Sequence, residues 1–190
     1  MSSHRRLLTL LLIAFSQSIF AFDQSARFEL GATQGYFGGK QVKGDATGLS
    51  FRVGGALPKA PTASYYSLLN FELNILSNDQ KTTNNFYNEG DENSLTMNRF
   101  KIGFGWALSD SFLIATHMGL GALLVENERN IRTYGVTSID LTGYWDFGES
   151  FGAFFTVDYV LPIYEKYNEV EQNIYPSLAS IGLTYRLKAE

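Results

Sequence analysis

The chain has 190 residues, with 15 lysines and arginines against 19 aspartates and glutamates, and it contains no cysteine. The acidic balance gives no basic excess that would attract nucleic acid, and the lack of cysteine excludes a disulfide framework and thiolate chemistry. The length suits a single domain.

The first predicted element is a secretory signal peptide. Residues 1–6 carry two arginines and no acid, and an apolar run follows over residues 7–15. This run is too short to cross a bilayer as a helix, which takes about 20 residues. We expect cleavage after Ala21, which divides the chain into a leader at 1–21 and one β-barrel domain at 22–190. The leader holds two basic residues and no acid, so the mature chain has 13 basic and 19 acidic residues, a net charge of −6.

The mature chain has the pattern of β-strands with one apolar face. In the clearest segment, residues 99–108, every even position is large and apolar while the odd positions are charged or small. Successive side chains of a strand point to opposite faces, so such a segment has one apolar and one polar face. Reading the chain in this way predicts eight strands, at 26–37, 48–56, 65–76, 95–108, 112–125, 133–147, 151–163 and 178–187.

The predicted connections alternate in length along the chain. Those after the second, fourth and sixth strands are short or moderate, whereas those at 77–94 and 164–177 are long and polar. Outer-membrane barrels have an even number of antiparallel strands, short periplasmic turns and longer external loops. The sequence therefore predicts an all-β fold, an eight-stranded antiparallel up-and-down transmembrane β-barrel.

Alternation alone does not tell whether the apolar face meets lipid or lines a ligand cavity, as it would in a secreted lipocalin-like barrel. The opposite face combines charged residues with many glycines, which suits a narrow lumen where long ionic side chains pair beside small residues. We therefore place the apolar face toward lipid, with aromatic residues such as Tyr65, Trp106, Trp145 and Phe147 near the headgroups. The charged residues that we predict to form a network in the lumen are Glu29, Arg52, Glu72, Arg99, Lys101, His117, Asp140, Asp158 and Arg186.

The last predicted strand resembles the C-terminal β-signal of outer-membrane proteins. In residues 180–187 the pattern has Gly182, the aromatic Tyr185 and the hydrophobic Leu187, although Leu187 is not aromatic and three residues follow it. With the strand pattern, the chain resembles the small eight-stranded outer-membrane barrels of the OmpA transmembrane domain, OmpX and opacity-protein type. The resemblance implies insertion by the barrel assembly machinery and residence in the bacterial outer membrane, in contact with its lipid and lipopolysaccharide.

The favoured function is a non-enzymatic surface protein, in which a rigid barrel carries exposed loops for envelope integrity, adhesion or recognition. An eight-stranded barrel is just wide enough for side chains to fill it, so a wide pore is not expected. The loops at 77–94 and 164–177 are acidic and suit contact with cations or with an extracellular protein. Acidic side chains are also common in exposed loops that only interact with water. The sequence has no cofactor or metal-binding motif, and the acidic segment 88–93 lacks the spacing of an EF-hand.

Two alternatives remain at this point. One is a lipid A or phospholipid hydrolase embedded in the barrel, which needs a base beside a nucleophile. His117 is the one histidine after the leader, and its parity places it in the lumen, where it fits a carboxylate partner better than a catalytic role. The other alternative is a narrow ion channel along the lumen, which depends on how completely the charged side chains block it.

Overall fold

The structure is a computed structural model that describes residues 26–39, 42–56, 65–81, 88–127, 131–148, 150–161, 163–167 and 170–187. The predicted leader and its cleavage site lie outside these residues. Nine strands are present in the described part of the chain: β1 (Ala26–Gly39), β2 (Gly44–Ala56), β3 (Tyr65–Asp79), β4 (Glu92–Ala107), β5 (Phe112–Glu126), β6 (Ile131–Asp146), β7 (Phe151–Val160), β8 (Ile163–Tyr167) and β9 (Val170–Leu187). No helix long and apolar enough to cross a bilayer occurs among the described residues.

Eight of the strands close a barrel. Each of β1 to β6 pairs antiparallel with the next strand in sequence, β7 pairs with β9, and β9 returns to pair with β1 from Ala26↔Leu187 to Gly39↔Ile174. The short β8 pairs with the first residues of β9 and extends the wall beyond β7. The predicted fold class is therefore confirmed: a closed, antiparallel, up-and-down barrel.

The strand ends differ from the prediction on one side of the barrel. Strand β2 begins at Gly44, four residues before the predicted start at 48. Both β3, which ends at Asp79, and β4, which begins at Glu92, extend into the loop predicted at 77–94. The expected final loop at 164–177 is wrong, because its described residues form β8 and the first part of β9. The barrel is thus longer than predicted at the end where β3 stops at Asp79 and β4 begins at Glu92, which we call the loop end. The opposite end carries the tight turn at 108–111 between β4 and β5 and the place where β6 ends and β7 begins, and we call it the turn end.

The outer wall nearer the turn end is apolar. Its outward side chains are about 40% to 67% exposed, because they face away from the lumen. At the turn end itself, the aromatic rings form contacts: Trp145 lies edge-on to Phe147 with centroids 6.2 Å apart, and Phe151 lies 5.1 Å from Tyr185. The side chain of Tyr65, which we also expected here, lies outside the described residues. The exposed apolar residues of this belt include Leu30, Leu49, Phe51, Phe100, Ile102, Phe104, Trp106, Met118, Leu120, Leu141, Phe155, Val157, Ile181 and Leu183.

The polarity of the wall reverses part-way along the strands. In β4, Phe100, Ile102 and Phe104 point outward around the buried Lys101, but nearer the loop end Glu92 and Ser94 point outward while Leu95 and Met97 are buried. The barrel therefore has two halves. One has an apolar exterior and a lumen that combines the ionic side chains with a small apolar cluster of Leu68, Ala115, Tyr144 and Phe154. The other has a polar exterior and an apolar lumen.

Candidate functional site in the barrel lumen

Four charged residues of alternating sign lie side by side on β1 to β4. The strand register pairs Glu29 with Arg52, Arg52 with Glu72, and Glu72 with Arg99. Their side chains point into the lumen and form ion pairs: Arg52 Nη1 to Glu29 Oε2 at 3.1 Å, Arg52 Nη2 to Glu72 Oε2 at 3.1 Å, and Arg99 Nη2 to Glu72 Oε1 at 3.2 Å. All four residues are at most 2% exposed, so each charge has its partner on a neighbouring strand and little contact with bulk solvent.

Lys101 joins this row to the acids on the opposite wall. Its Nζ lies 2.5 Å from Glu72 Oε2, 2.6 Å from Asp140 Oδ2 and 2.8 Å from Asp158 Oδ2. The three carboxylates lie within 4.8 Å of one another, a spacing that would suit a metal ion, but the ammonium group of Lys101 occupies the space between them. Its register partner on β5 is Gly119, and a β-carbon there would lie 3.0 Å from the Lys101 side chain. The glycine therefore leaves the room that the long lysine needs.

His117 is held at both ring nitrogens. Its Nδ1 lies 2.7 Å from Asp140 Oδ1, and its Nε2 lies 2.9 Å from the Asn70 side-chain amide. The residue is 1% exposed. Because a catalytic base must reach a substrate, a histidine enclosed in this way serves to satisfy Asp140 and to fill the lumen.

The structure therefore brings eight of the nine predicted network residues together, since Asp158 also pairs with Arg99 Nη1 at 2.5 Å. The ninth, Arg186, lies apart near the turn end and forms its ion pair with Asp146, where both side chains are partly exposed.

The residues of the expected assembly signal lie on the barrel seam. Gly182 is the register partner of Gly31 on β1, whereas Tyr185 and Leu187 point outward and are 40% and 45% exposed. A β-carbon at Gly182 would lie 2.1 Å from the Leu30 carbonyl oxygen and 2.4 Å from the Gly31 Cα. The glycine therefore has a packing role in closing the barrel, whatever recognises the strand during assembly.

Sequence reasoning missed a second layer of the lumen, which lies between the ionic network and the loop end. Thirteen buried apolar side chains pack together there, each at most 4% exposed. Every barrel strand contributes to this cluster, and Val42 joins it from the segment between β1 and β2. The signal that could have revealed the cluster is the exchange of the apolar face toward the loop end of the strands. The members are Phe37, Val42, Ala46, Leu76, Leu95, Met97, Leu123, Val125, Tyr134, Val136, Val160, Ile174 and Leu178.

The described part of the loop end is polar and rich in acids. Lys81 Nζ lies 2.5 Å from Asp45 Oδ2, and this hydrogen bond with the carboxylate raises the pKa of the Lys81 ammonium above its ordinary value. In the acidic segment 88–93, Asp91 Oδ2 accepts a hydrogen bond from the Asn88 backbone N–H at 2.9 Å. Among the described residues, that segment does not bring three candidate ligands within metal-binding distance.

Comparison with known proteins gives the fold. No family model matches the chain, and no curated protein matches it by sequence. Among solved structures, Ail of Yersinia pestis has a TM-score of 0.55 at 9% identity, covering 86% of this chain and 99% of its own. Neisserial surface protein A has 0.53 at 10% identity, covering 85% and 97%, and OprG of Pseudomonas aeruginosa has 0.55 at 8%, covering 87% and 97%. The expected resemblance to small eight-stranded outer-membrane barrels is therefore confirmed at the level of fold.

Proposed function

We propose that the protein is a non-enzymatic integral protein of the bacterial outer membrane, in which a plugged barrel supports loops outside the membrane. The observation that carries this proposal is the lumen filled by buried ionic and apolar side chains, inside a wall whose exterior changes from apolar to polar. The apolar belt suits hydrocarbon, and the closed barrel satisfies its backbone groups without water. We place the belt in the bilayer and the loop-end half outside it, and we propose that residues 1–21 direct export.

The strand lengths support this placement. About 9 to 11 residues are enough for a tilted strand to cross the hydrocarbon layer. Strands β3 to β6 have 15 or 16 residues, and β9 has 18. The additional residues lie toward the loop end, where outward-facing side chains such as Ser77 and Glu92 are polar and the side chains in the lumen are apolar. This half has the polarity of a water-soluble β-barrel, so it suits an aqueous exterior.

The filled lumen favours a support for loops over a channel or an enzyme. An ion moving along the axis would meet the ion-paired layer and then an apolar layer, where a bare charge is costly. A lipid substrate would find His117 enclosed between Asp140 and Asn70. The role that this geometry fits is a rigid base for recognition or adhesion, with lipopolysaccharide and an extracellular protein as the proposed contacts and the barrel assembly machinery as the proposed route of insertion.

The acidic loop end bears on the choice of contact. Ail was solved in complex with a heparin analogue, sucrose octasulfate, which is polyanionic. Besides the ion-paired Asp45 and Lys81, the described loop end of the present barrel has an excess of acids that would repel a polysulfate: Asp79, Glu89, Asp91, Glu92 and Glu126. We therefore propose a cationic partner surface, or an anionic one bridged by divalent cations.

Cell fractionation with heat-modifiable gel mobility tests the proposal. We expect the protein in the detergent-insoluble envelope fraction, migrating differently before and after boiling. Recovery as a soluble periplasmic protein would overturn it. Two further measurements test the alternatives: steady conductance in a planar bilayer would favour the channel, and a changed lipid A or phospholipid profile in His117→Ala cells would favour the enzyme.

A further inference from the structure

The outer wall carries a groove at the level where its polarity reverses. The groove has a volume of about 670 Å³ and crosses strands β2 to β5 on the loop-end half of the barrel. Its lining includes Thr47, Ile75, Ser77, Glu92, Ser94 and Glu126.

Strand register explains why the wall is hollow there. Thr47, Ser77, Ser94 and Glu126 are consecutive cross-strand partners, and the first three are small. Facing side chains on adjacent strands lie about 5 Å apart, so three small neighbours leave a depression about 10 Å wide. The next row toward the turn end includes Ile75, which is 53% exposed and forms an apolar edge of the groove.

The other edge of the groove is anionic. Glu126 ends the row of small residues, and Glu92 lies two residues from Ser94 on β4, about 7 Å along the strand. Glu92 accepts a hydrogen bond from Ser77 Oγ at 2.9 Å, and its cross-strand partner is another acid, Asp79. Acids directly opposite each other on a sheet repel, and the Lys81 ammonium, which interacts electrostatically with Asp79, offsets part of this repulsion. The edge of the groove keeps the negative charges of Glu92 and Glu126.

We propose that this groove binds an amphiphile with a primary ammonium headgroup. The ammonium group would lie between the carboxylates of Glu92 and Glu126 and donate hydrogen bonds to them, while the alkyl chain would lie over Ile75 toward the apolar belt. Charge complementarity selects a cation over an anion, and the apolar edge selects an alkylammonium over a fully hydrophilic polyamine. The inference goes beyond the proposed function and rests on the proposed membrane placement.

The test uses the full mature chain, refolded into phosphatidylcholine nanodiscs and checked for heat-modifiable mobility. Octylammonium is titrated while the backbone amide resonances of Ser94 and Glu126 are followed by NMR. Octanol and spermidine serve as probes that lack the charge and the alkyl chain, respectively. We expect octylammonium to bind at least about tenfold more tightly than either, as two charge-assisted contacts and one apolar contact predict.

Variants locate the site. Glu92→Gln with Glu126→Gln should weaken octylammonium binding about tenfold. Ser94→Leu should block binding although both carboxylates remain, because it fills the groove. The control Asp110→Asn removes an exposed acid at the turn end and should leave binding unchanged.

Equal binding of octanol or of spermidine would overturn the inference, and so would unaltered binding by the Glu92/Glu126 or Ser94 variants. The comparison of the three probes on the unchanged chain decides the question even if a variant fails to fold. A chain that does not enter nanodiscs would instead contradict the membrane placement, so the two failures are distinguishable.

Discussion

Replacing Lys101 with methionine should destabilise the barrel more than any loss of a surface charge. Methionine has a similar length and no charge, so the change removes the ammonium group with little change in volume. Three carboxylate oxygens, from Glu72, Asp140 and Asp158, would then lie within 4.8 Å of one another without the cation between them.

The size of the effect follows from these distances. Two unit charges 4.8 Å apart repel by about 3.5 kcal/mol at an effective dielectric constant near 20. Removal of one partner from a buried ion pair costs about 3–5 kcal/mol. We therefore expect Lys101→Met to lower the free energy of unfolding by about 3–5 kcal/mol.

The structure also identifies a second substitution that should compensate for the loss of Lys101. Without Lys101, Glu72 keeps Arg52 and Arg99, and Asp158 keeps Arg99. Within the described part of the chain, Asp140 would keep no ion-pair partner besides His117. A second substitution, Asp140→Asn, should therefore recover much of the loss by removing the least compensated charge.

Urea unfolding in detergent or lipid vesicles measures this effect. Fluorescence of the outward-facing Trp106 and Trp145 reports insertion, and the mobility of unboiled samples reports the folded fraction. A free energy of unfolding for Lys101→Met within about 1 kcal/mol of that of the unchanged chain would contradict the expected cost. A further loss of stability on adding Asp140→Asn would contradict it as well.

Other substitutions test the remaining parts of the structure. Arg99→Ala and Asp158→Ala should each lower the melting temperature in detergent, and unchanged melting for both would remove the case for paired lumen charges. Leu95→Ala should cost about 2–5 kcal/mol in urea unfolding by leaving a cavity in the apolar layer, whereas the neighbouring, outward-facing Thr96→Ala should have little effect. Gly182→Ala should impair refolding in vitro in the absence of any assembly machinery, because the added methyl group would clash with backbone atoms of β1. Normal refolding in vitro together with failed insertion in cells would instead indicate that the assembly machinery recognises Gly182. Asp45→Asn should lower the pKa of Lys81 toward its ordinary value, which NMR of the lysine side chain measures. Because the pKa of Lys81 is raised in the fold, the contribution of the Lys81–Asp45 pair to stability is present at neutral pH and is lost as the pH rises through that pKa.

Residue parity was sufficient to predict the barrel and the contents of its ionic layer. Once one face of a strand is assigned to lipid, every second residue is assigned to the lumen. Glu72 and Arg99 could therefore be placed in one compartment without knowing the strand register. What parity could not predict is their pairing, because it depends on which residues of neighbouring strands lie opposite each other. For the same reason Arg186, which has the correct parity, pairs at the turn end with Asp146 instead.

The strand ends were harder to predict because the apolar residues change from the outward face to the inward face along a strand. Residues such as Ser77 and Asp79 are polar and outward-facing, so a search for an apolar exterior assigns them to a loop. The buried Leu76, Leu95 and Met97 beside them carry the opposite signal. Alternation itself continues to Glu92 in β4, and only the identity of the apolar face changes.

This exchange of the apolar face follows from the solvent that surrounds each half of the barrel. In the half that we place in lipid, apolar side chains can remain outside at no cost, and the enclosed ion pairs fill the lumen. In water the same arrangement would expose the apolar wall, whereas an inward-facing Leu95 or Leu123 contributes about 1.5–3 kcal/mol when it is buried. The loop-end half therefore has its own hydrophobic core, which stabilises the strands beyond the reach of the bilayer. Without that core, backbone pairing alone would have to hold the long strands together in water.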